Sequence, residues 1–146
     1  MTLTSGDLSV DVSLVPIYSL RPHEMTIPAR RRHLGREILE DGVLRIPVLV
    51  DRQTGALLDG HHRLAALRSL GARAVPAALV NYSSPEVEVR PRRLDVPVSK
   101  GLVRVTAASG RLLPPKTTRH VLPIDLPEVD VPLRDLLSLP RERDGI

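Results

Sequence analysis

The sequence from 57 to 71 reads Leu57-Leu58-Asp59-Gly60-His61-His62-Arg63-Leu64-Ala65-Ala66-Leu67-Arg68-Ser69-Leu70-Gly71, and its pattern decides the fold. Two apolar residues precede an acid and a glycine, and apolar residues then recur with the spacing of one helix face. The pattern predicts a strand, a glycine turn and a helix that stops at Gly71. The first turn of such a helix has unpaired N–H groups and a partial positive charge, so it attracts anions such as phosphate.

The residues of this turn have the chemistry of a phosphate site. Gly60 lets a ligand approach the backbone closely, and the guanidinium of Arg63 can donate two parallel hydrogen bonds to phosphate oxygens. The alternative is an ordinary strand-to-helix turn with a solvated basic end. Asp59, His61 and His62 favour a site over that alternative, because a plain turn does not require an acid and two imidazoles.

The flanking sequence predicts the other elements of an α+β fold, a small mixed sheet with helices packed on it. Alternating or continuous apolar runs predict strands at 8–14, 48–50, 56–58, 74–80, 86–90 and 121–124. Turn residues between the second and third of these strands predict a hairpin that leads to Asp59. A helix is expected to follow Thr26 as its cap and to end before Gly42, and a later helix is expected from Lys100 to Ser109 with Ser99 as its cap.

The composition limits the size of the protein and several classes of function. With 146 residues, 42% of them hydrophobic, the chain can bury one core. We expect a domain at 1–124 and a proline-rich, acidic extension at 125–146, whose leucines could pack on the domain or on a second copy in a homodimer. The absence of cysteine excludes disulfides and thiolate chemistry. Without an apolar run of membrane length or a leader pattern, a cytoplasmic protein is expected.

The charge and the aromatic content make nucleic acid an improbable partner. A net charge of +4 would permit contact with DNA, but the basic residues are dispersed apart from Arg30-Arg31-Arg32 and 90–93. The arginines at 30–32 are expected on a solvated helix face. Phe and Trp are absent and there are two tyrosines, so the stacking platforms that hold single strands are missing.

A second unusual stretch, Pro114-Pro115-Lys116-Thr117-Thr118-Arg119-His120, combines a stiff diproline with cations and hydroxyls. Proline reduces the entropy lost on ordering, so such a loop can present its polar groups in one geometry. The groups suit an anion, although a basic surface turn is the alternative. With two isolated acids, Glu24 and Asp59, the two anion-binding segments form a plausible set for phosphoryl transfer.

A zinc site made from the histidines is not favoured. His61 and His62 are adjacent on a turn and point in different directions, and His23 and His120 lie at no recognised ligand spacing from them. Neither a Walker A pattern nor the protein-kinase signatures occur in the chain.

The segment 58–67 with Gly71 and Val75-Pro76-Ala77 resembles the central motif of the ParB N-terminal and sulfiredoxin-like superfamily. The Asp-Gly-His-His-Arg version, with His23-Glu24 upstream and 114–120 downstream, is similar to the free serine kinases. The resemblance covers about 15–123. It implies a ParB N-terminal/sulfiredoxin-like fold and a kinase that converts L-serine to O-phospho-L-serine with ADP or ATP as the phosphoryl donor.

The resemblance also implies roles for single residues. Glu24 corresponds to the base for the serine hydroxyl and Asp59 to a second catalytic acid, acting through Mg²⁺. The nucleotide phosphates are expected at Gly60, His61, His62 and Arg63. The serine and its phosphate are expected at Lys116, Thr117, Thr118, Arg119 and His120.

The same residues separate the chain from related proteins. Sulfiredoxins have a catalytic cysteine where this chain has His61, so their reduction of sulfinic acids is excluded. ParB proteins have a Gly-Glu-Arg-Arg motif and continue into a helix-turn-helix domain. Relatives often have an aromatic residue where this chain has Arg92, which leaves the choice of hydroxy amino acid open. The alternatives are a ParB-like nucleotide-binding regulator that binds DNA and a small-molecule sensor without catalysis.

Overall fold

A five-stranded mixed sheet forms the centre of the molecule. The computed structural model describes residues 1–140. The strands of the sheet, in spatial order, are β1 (Thr2–Ser5), β2 (Leu8–Pro16), β6 (Ala74–Val80), β4 (Val48–Asp51) and β5 (Leu57–Asp59). β4 and β6 are parallel, and the other neighbouring strands are antiparallel. The mixed sheet with helices packed on it agrees with the α+β fold predicted from the sequence.

The central strand β6 is buried along its whole length. Its pairing with β2 includes Pro76, opposite Leu14. Proline has no N–H to donate, so it is unfavourable inside a sheet. The structure accommodates it because the pairing of β6 with β4 begins at Ala77, one residue later, and Pro76 therefore lies where β6 has a single partner.

Helices cover the sheet. The elements are α1 (Pro28–Asp41), α2 (His61–Ser69) and α3 (Lys100–Ser109). Buried side chains of α1 and α2 belong to one core cluster, and those of α3 to another. Ser99 caps α3 as predicted, with Oγ accepting from the N–H of Leu102 at 3.0 Å. In residues 1–140, no helix has both the length and the apolar character needed to cross a membrane.

The prediction that Thr26 caps α1 is wrong. Ile27 occupies the cap position, and no side chain accepts a hydrogen bond there. The hydroxyl of Thr26 instead accepts a hydrogen bond from Arg31 Nη1 at 2.9 Å. Pro28 in the first turn compensates in part, because it removes one of the N–H groups that would need a partner.

The predicted hairpin is confirmed and brings the chain to the site. β4 and β5 pair antiparallel, with Leu49 opposite Asp59. α2 begins directly after Gly60, so the end of β5 and the first turn of α2 form one corner of the molecule.

A two-stranded ribbon stands beside this corner. It consists of β7 (Glu88–Pro91) and β8 (Thr118–Val121), paired antiparallel. The strand predicted at 121–124 is therefore wrong in position, since β8 begins three residues earlier. The backbone of the preceding segment explains the shift, because Leu113 pairs with Glu24 and the chain resumes extended structure as soon as the diproline turn ends.

The segment 125–140 packs on the rest of the fold. β9 (Val131–Pro132) pairs antiparallel with β3 (Val43–Leu44), and a 3-10 helix (Leu133–Leu136) follows. Leu136 is completely buried in the core that contains Leu67 and Ile38. The predicted extension 125–146 therefore packs on the domain as far as residue 140, and 141–146 lies outside the described residues.

Leu136→Ala is expected to lower the free energy of unfolding by about 2–5 kcal/mol, the usual cost of truncating a buried leucine. Denaturant unfolding followed by circular dichroism measures it. The matched control is Leu137→Ala, because that neighbour is 45% exposed and its loss should change stability by less than about 0.5 kcal/mol. Equal, small effects at both positions would show that 125–140 does not form part of the folded domain.

Candidate active site

A cleft of about 380 Å³ lies where the first turn of α2 faces the start of α1 and the loop before β8. Its wall combines one buried acid, one exposed acid and several cations with a few apolar side chains. The lining residues are Glu24, Arg30, Leu34, Ile46, Leu58, Asp59, Gly60, His61, His62, Arg63, Arg92, Lys116 and Thr118. The two predicted catalytic acids and the four predicted nucleotide-binding residues are therefore together in one cavity.

Gly60 shapes the turn at the floor of this cleft. Its φ of +101° is one that residues with a side chain rarely adopt, and a Cβ there would lie 2.6 Å from Val48 Cγ1. No side chain caps the helix that follows. One carboxylate oxygen of Asp59 accepts from the N–H of Gly60 at 2.9 Å. The uncapped N–H groups of the first turn are thus available to an anion in the cleft.

Arg63 is held directly beside the turn. Its Nη1 donates to the carbonyl of Ile46 at 3.1 Å, and its Nη2 lies 3.0 Å from the position of a Cβ on Gly60. Burial lowers the pKa of Arg63 and the nearby Asp59 carboxylate raises it. Arginine stays charged at neutral pH, so the cleft contains a fixed cation next to the free N–H groups.

His62 links the two helices that border the cleft. Its Nε2 accepts from the N–H of Ile27 at 3.0 Å, so α1 is joined to the first turn of α2. Burial lowers the pKa of His62, and the charges of Arg30 and Lys116 lower it further. The imidazole is therefore neutral at neutral pH, as its role as an acceptor requires.

Glu24 is the buried acid of the site, with 8% of its surface exposed. Its backbone forms a parallel bridge with Leu113, which fixes the side chain against the loop before β8. Oε2 accepts from the N–H of Thr118 at 2.8 Å and from the hydroxyl of the same residue at 2.5 Å. Within residues 1–140, Oε1 accepts no hydrogen bond.

The surroundings of Glu24 favour its ionised form. Burial alone would raise the pKa of the carboxyl, but hydrogen bonds from His23 and Thr118 and the proximity of His61 lower it to about 2. Glu24 is consequently a carboxylate at neutral pH and can accept a proton or a hydrogen bond through Oε1.

His61 lies on the other side of this carboxylate. Its Nε2 accepts from the N–H of His23 at 3.1 Å, so the neutral ring has its proton on Nδ1, which is 4.0 Å from Glu24 Oε1. Burial lowers the pKa of His61 to about 3, with His23 adding to the shift and Glu24 opposing it. The ring is neutral and leaves the approach to Oε1 uncharged.

The residues of the loop at 114–120 differ in whether they line the cleft. Lys116, in the left-handed region with φ of 55°, and Thr118 line it. Thr117 is completely buried, and its hydroxyl donates to the carbonyl of Pro114 at 2.7 Å. The ring of His120 is hydrogen-bonded to the hydroxyl of Tyr82 at 2.7 Å, and burial lowers the pKa of His120 to about 4.

Arg119, the fifth residue predicted for the substrate, does not line the cleft. It is exposed on β8 opposite Arg90 of β7. The structure thus brings two of the five predicted substrate residues to the cavity wall, places two behind it and one outside.

Sequence reasoning missed five lining residues, Arg30, Leu34, Ile46, Leu58 and Arg92. A signal existed for Arg30, because a run of arginines in the first turn of a helix opposes the helix dipole, but exposure on a solvated face accounts for the same run. The sequence marks Arg92 as the replacement of an aromatic residue, but its position in the cleft depends on the β7–β8 ribbon. Nothing in the local sequence of Ile46 indicated a site.

A cluster of three or more residues suited to holding a metal is not found within residues 1–140. A cation coordinated partly by nucleotide phosphates needs fewer protein ligands, usually one or two carboxylates. Asp59 fits that role, because Oδ1 is engaged with the turn and Oδ2 accepts no hydrogen bond from residues 1–140.

Comparison with models of protein families gave no match for the chain. Among curated proteins, an ATP-dependent L-serine kinase of Staphylothermus marinus is 34% identical over 85 residues, which is 56% of this chain and 34% of that protein. A ParB-like protein of Sulfolobus acidocaldarius is 42% identical over 71 residues, 49% of this chain and 35% of that protein. The matched segments thus span about a third of the length of these curated relatives.

The solved structures decide the fold. A free serine kinase in complex with AMP superposes with a TM-score of 0.78 over 86% of this chain and 93% of that one, at 18% sequence identity. The chain has the fold of the free serine kinases. A mutant of free serine kinase in complex with ADP gives the same TM-score, over 86% of this chain and 94% of that one. The resemblance to free serine kinases inferred from the sequence motifs is confirmed by sequence and by fold.

Proposed function

We propose that the protein is a nucleotide-dependent kinase that phosphorylates free L-serine to O-phospho-L-serine, with ADP or ATP as the donor. One observation carries the proposal. A buried carboxylate with one unengaged oxygen, Glu24, lines the same cleft as the uncapped helix turn at Gly60 and the fixed cation of Arg63. A base and a phosphate site must line the same cavity for an acceptor hydroxyl to reach a phosphoryl group. Because the donor is a nucleotide, the proposal places the protein in the cytoplasm.

The reaction uses two walls of the cleft, a phosphate wall formed by the first turn of α2 with Arg63 and an acceptor wall that contains Glu24. The N–H groups of the first turn of α2 and Arg63 hold the nucleotide phosphates. The hydroxyl oxygen of the acceptor attacks the terminal phosphorus, its O–H proton goes to Glu24 Oε1, and the bond from phosphorus to the bridging oxygen of the nucleotide breaks. Lys116 and Arg92 neutralise the negative charge that gathers on the moving group.

The proposal includes Mg²⁺ held by Asp59. The cation would neutralise charge on the nucleotide phosphates and hold them in one geometry. Asp59 is suited to it, because its free oxygen lies next to the turn that receives those phosphates.

Recognition of the amino acid is assigned to the side of the cleft formed by the 114–120 loop. The carboxylate of serine requires a cation, and Lys116 and Arg92 are the two that line the cleft near the 114–120 loop. We infer that Thr117 and His120 hold this loop in place through their hydrogen bonds to Pro114 and Tyr82. The proposal does not depend on Arg119.

Incubation of the protein with L-serine, Mg²⁺ and either ADP or ATP tests the proposal. Formation of O-phosphoserine, followed by phosphorus NMR and mass spectrometry, is the expected result with at least one nucleotide. L-threonine and L-homoserine serve as competing acceptors, since Arg92 in place of an aromatic residue could widen the choice of hydroxy amino acid. Absence of any phosphorylated amino acid with both nucleotides would overturn the kinase assignment.

A ParB-like regulator is the second candidate, favoured by the 42% identity to the ParB-like protein of Sulfolobus acidocaldarius. Its signature is salt-dependent retention on DNA without phosphoserine formation. Nucleotide binding with neither product nor DNA retention would indicate a sensor without catalysis.

A further inference from the structure

The hydroxyl of Thr118 lies between Glu24 and the neighbouring ring of His23. Its oxygen is 2.5 Å from Glu24 Oε2 and 2.9 Å from His23 Nε2. All three residues are buried, with 0% of His23, 6% of Thr118 and 8% of Glu24 exposed. The three groups therefore form a continuous hydrogen-bonded chain, in which Thr118 joins residues 94 and 95 positions away in sequence.

The donors and acceptors of this chain restrict where its protons lie. Nδ1 of His23 is 2.7 Å from the carbonyl of Leu57, which only accepts, so Nδ1 is protonated. The hydroxyl of Thr118 has one proton to donate. If it donates to the carboxylate of Glu24, His23 Nε2 must donate to it, and if it donates to His23 Nε2, its contact with Glu24 has no proton. Full hydrogen bonding from His23 to the Glu24 carboxylate thus requires a proton on Nε2 in addition to that on Nδ1.

We propose that His23 and Thr118 are positioning residues for the base, which together fix Oε2 of Glu24 and leave Oε1 as the oxygen that faces the acceptor hydroxyl. The inference rests on the proposed kinase function. It reassigns Thr118 from the substrate to Glu24, because its hydroxyl and its N–H are both engaged with that carboxylate. His23 does not line the cleft, and its Nε2 acts on Oε2 both through Thr118 and directly, at 3.5 Å.

Phosphoryl transfer makes such positioning important. The transition state is loose, and catalysis depends mainly on placement and on charge stabilisation. The hydrogen bonds that lower the pKa of Glu24 also make it a weak base. A weakly basic carboxylate is effective when its free oxygen is held at hydrogen-bond distance from the hydroxyl, and a rotation that moves Oε1 removes that advantage.

Thr118→Val tests the inference, since valine has the shape of threonine without the hydroxyl. We expect kcat for phosphoserine formation to fall about 100-fold, within the range that a positioned acid or base contributes. The KM for nucleotide should change less than about threefold, because the phosphate wall is untouched. Thr118→Ser restores the hydroxyl and should return kcat to within about threefold of the unmodified protein.

His23→Gln is the matching change at the other end of the hydrogen-bonded series Glu24, Thr118 and His23. Gln can donate a hydrogen bond to Thr118 but cannot share a proton with it, so we expect kcat to fall about tenfold at an unchanged KM for nucleotide. Thermal unfolding of each variant identifies any that fails to fold, and Thr118→Ser then provides the remaining comparison with the unmodified protein.

Outcomes separate the inference from the function on which it rests. If the unmodified protein makes phosphoserine and Thr118→Val, correctly folded, keeps full kcat, the inference is overturned and the kinase stands. If Thr118→Ser loses as much kcat as Thr118→Val, the hydroxyl is not the active feature and the inference is again overturned. If the unmodified protein makes no phosphoserine, the kinase function itself is contradicted, and the inference with it.

Discussion

Glu24→Gln is expected to abolish phosphoserine formation while nucleotide still binds. The amide has the size of the carboxylate and can accept from Thr118, but it cannot take the proton of the acceptor hydroxyl. The loss in kcat should be about 10²–10⁴-fold, the contribution of a positioned general base. The initial rate of phosphoserine formation at saturating substrates gives kcat, and a calorimetric titration with ADP gives the Kd for nucleotide, which should stay within about twofold because Glu24 is placed on the acceptor side.

Arg63→Ala is the control, because it is expected to weaken nucleotide binding, which Glu24→Gln should leave nearly unchanged. Arg63 belongs to the phosphate wall, and a hydrogen bond to a charged group contributes about 1.5–3 kcal/mol. The Kd for nucleotide should rise about 10- to 100-fold, the affinity change that corresponds to this range. Unchanged turnover in both Glu24→Gln and Arg63→Ala would show that the reaction, if present, takes place elsewhere on the molecule.

Gly60→Ala is expected to reduce both stability and nucleotide binding. Its φ of +101° is unfavourable for alanine, and the added Cβ would meet Val48 Cγ1 at 2.6 Å and Val48 Cβ at 3.1 Å. Val48 is completely buried in β4 and cannot move aside without disturbing the sheet. We expect the free energy of unfolding to fall by about 2–5 kcal/mol, from backbone strain and overpacking together. Urea unfolding and the same ADP titration measure the two effects.

Gly71→Ala is the matched control for this change. Gly71 ends the same helix with φ of +83°, but a Cβ there would have no heavy atom within 4 Å. Its substitution carries the backbone cost alone, about 1–2 kcal/mol, and should leave the Kd for nucleotide unaltered. Equal losses of stability at Gly60 and Gly71 would contradict the close approach of Gly60 to Val48.

The sequence predicted the elements of the fold well where a local signal existed. The strand at 74–80, the helix at 100–109 and the glycine turn before α2 each have a pattern within the segment itself. Local pattern failed at β8, because its start depends on where the diproline loop meets Glu24, a contact across about ninety residues. It also failed at the cap of α1, where Thr26 is close enough in sequence but its hydroxyl is used by Arg31.

The candidate site was predictable in its acids and its phosphate turn, but less so in its rim. Asp59 and 60–63 are contiguous, and one helix start brings them together. The loop at 114–120 looks uniform in sequence, yet alternation along β8 sends Arg119 to solvent and leaves Thr118 buried. Arg30 and Arg92 enter the cleft through the packing of α1 and the ribbon, which no local pattern expresses.

The bond between His23 and Thr118 spans 95 residues, and it joins two segments that each contribute to the acidic wall of the cleft. Closing so large a loop has an entropic cost, so the hydrogen bond depends on the packing that holds both segments in place. The carboxylate of Glu24 therefore has these partners only where the segments around 23 and 118 are packed together. The phosphate turn of α2 is local in sequence and does not depend on that pairing, so a change that separates the two segments would remove the organised base and leave the anion site.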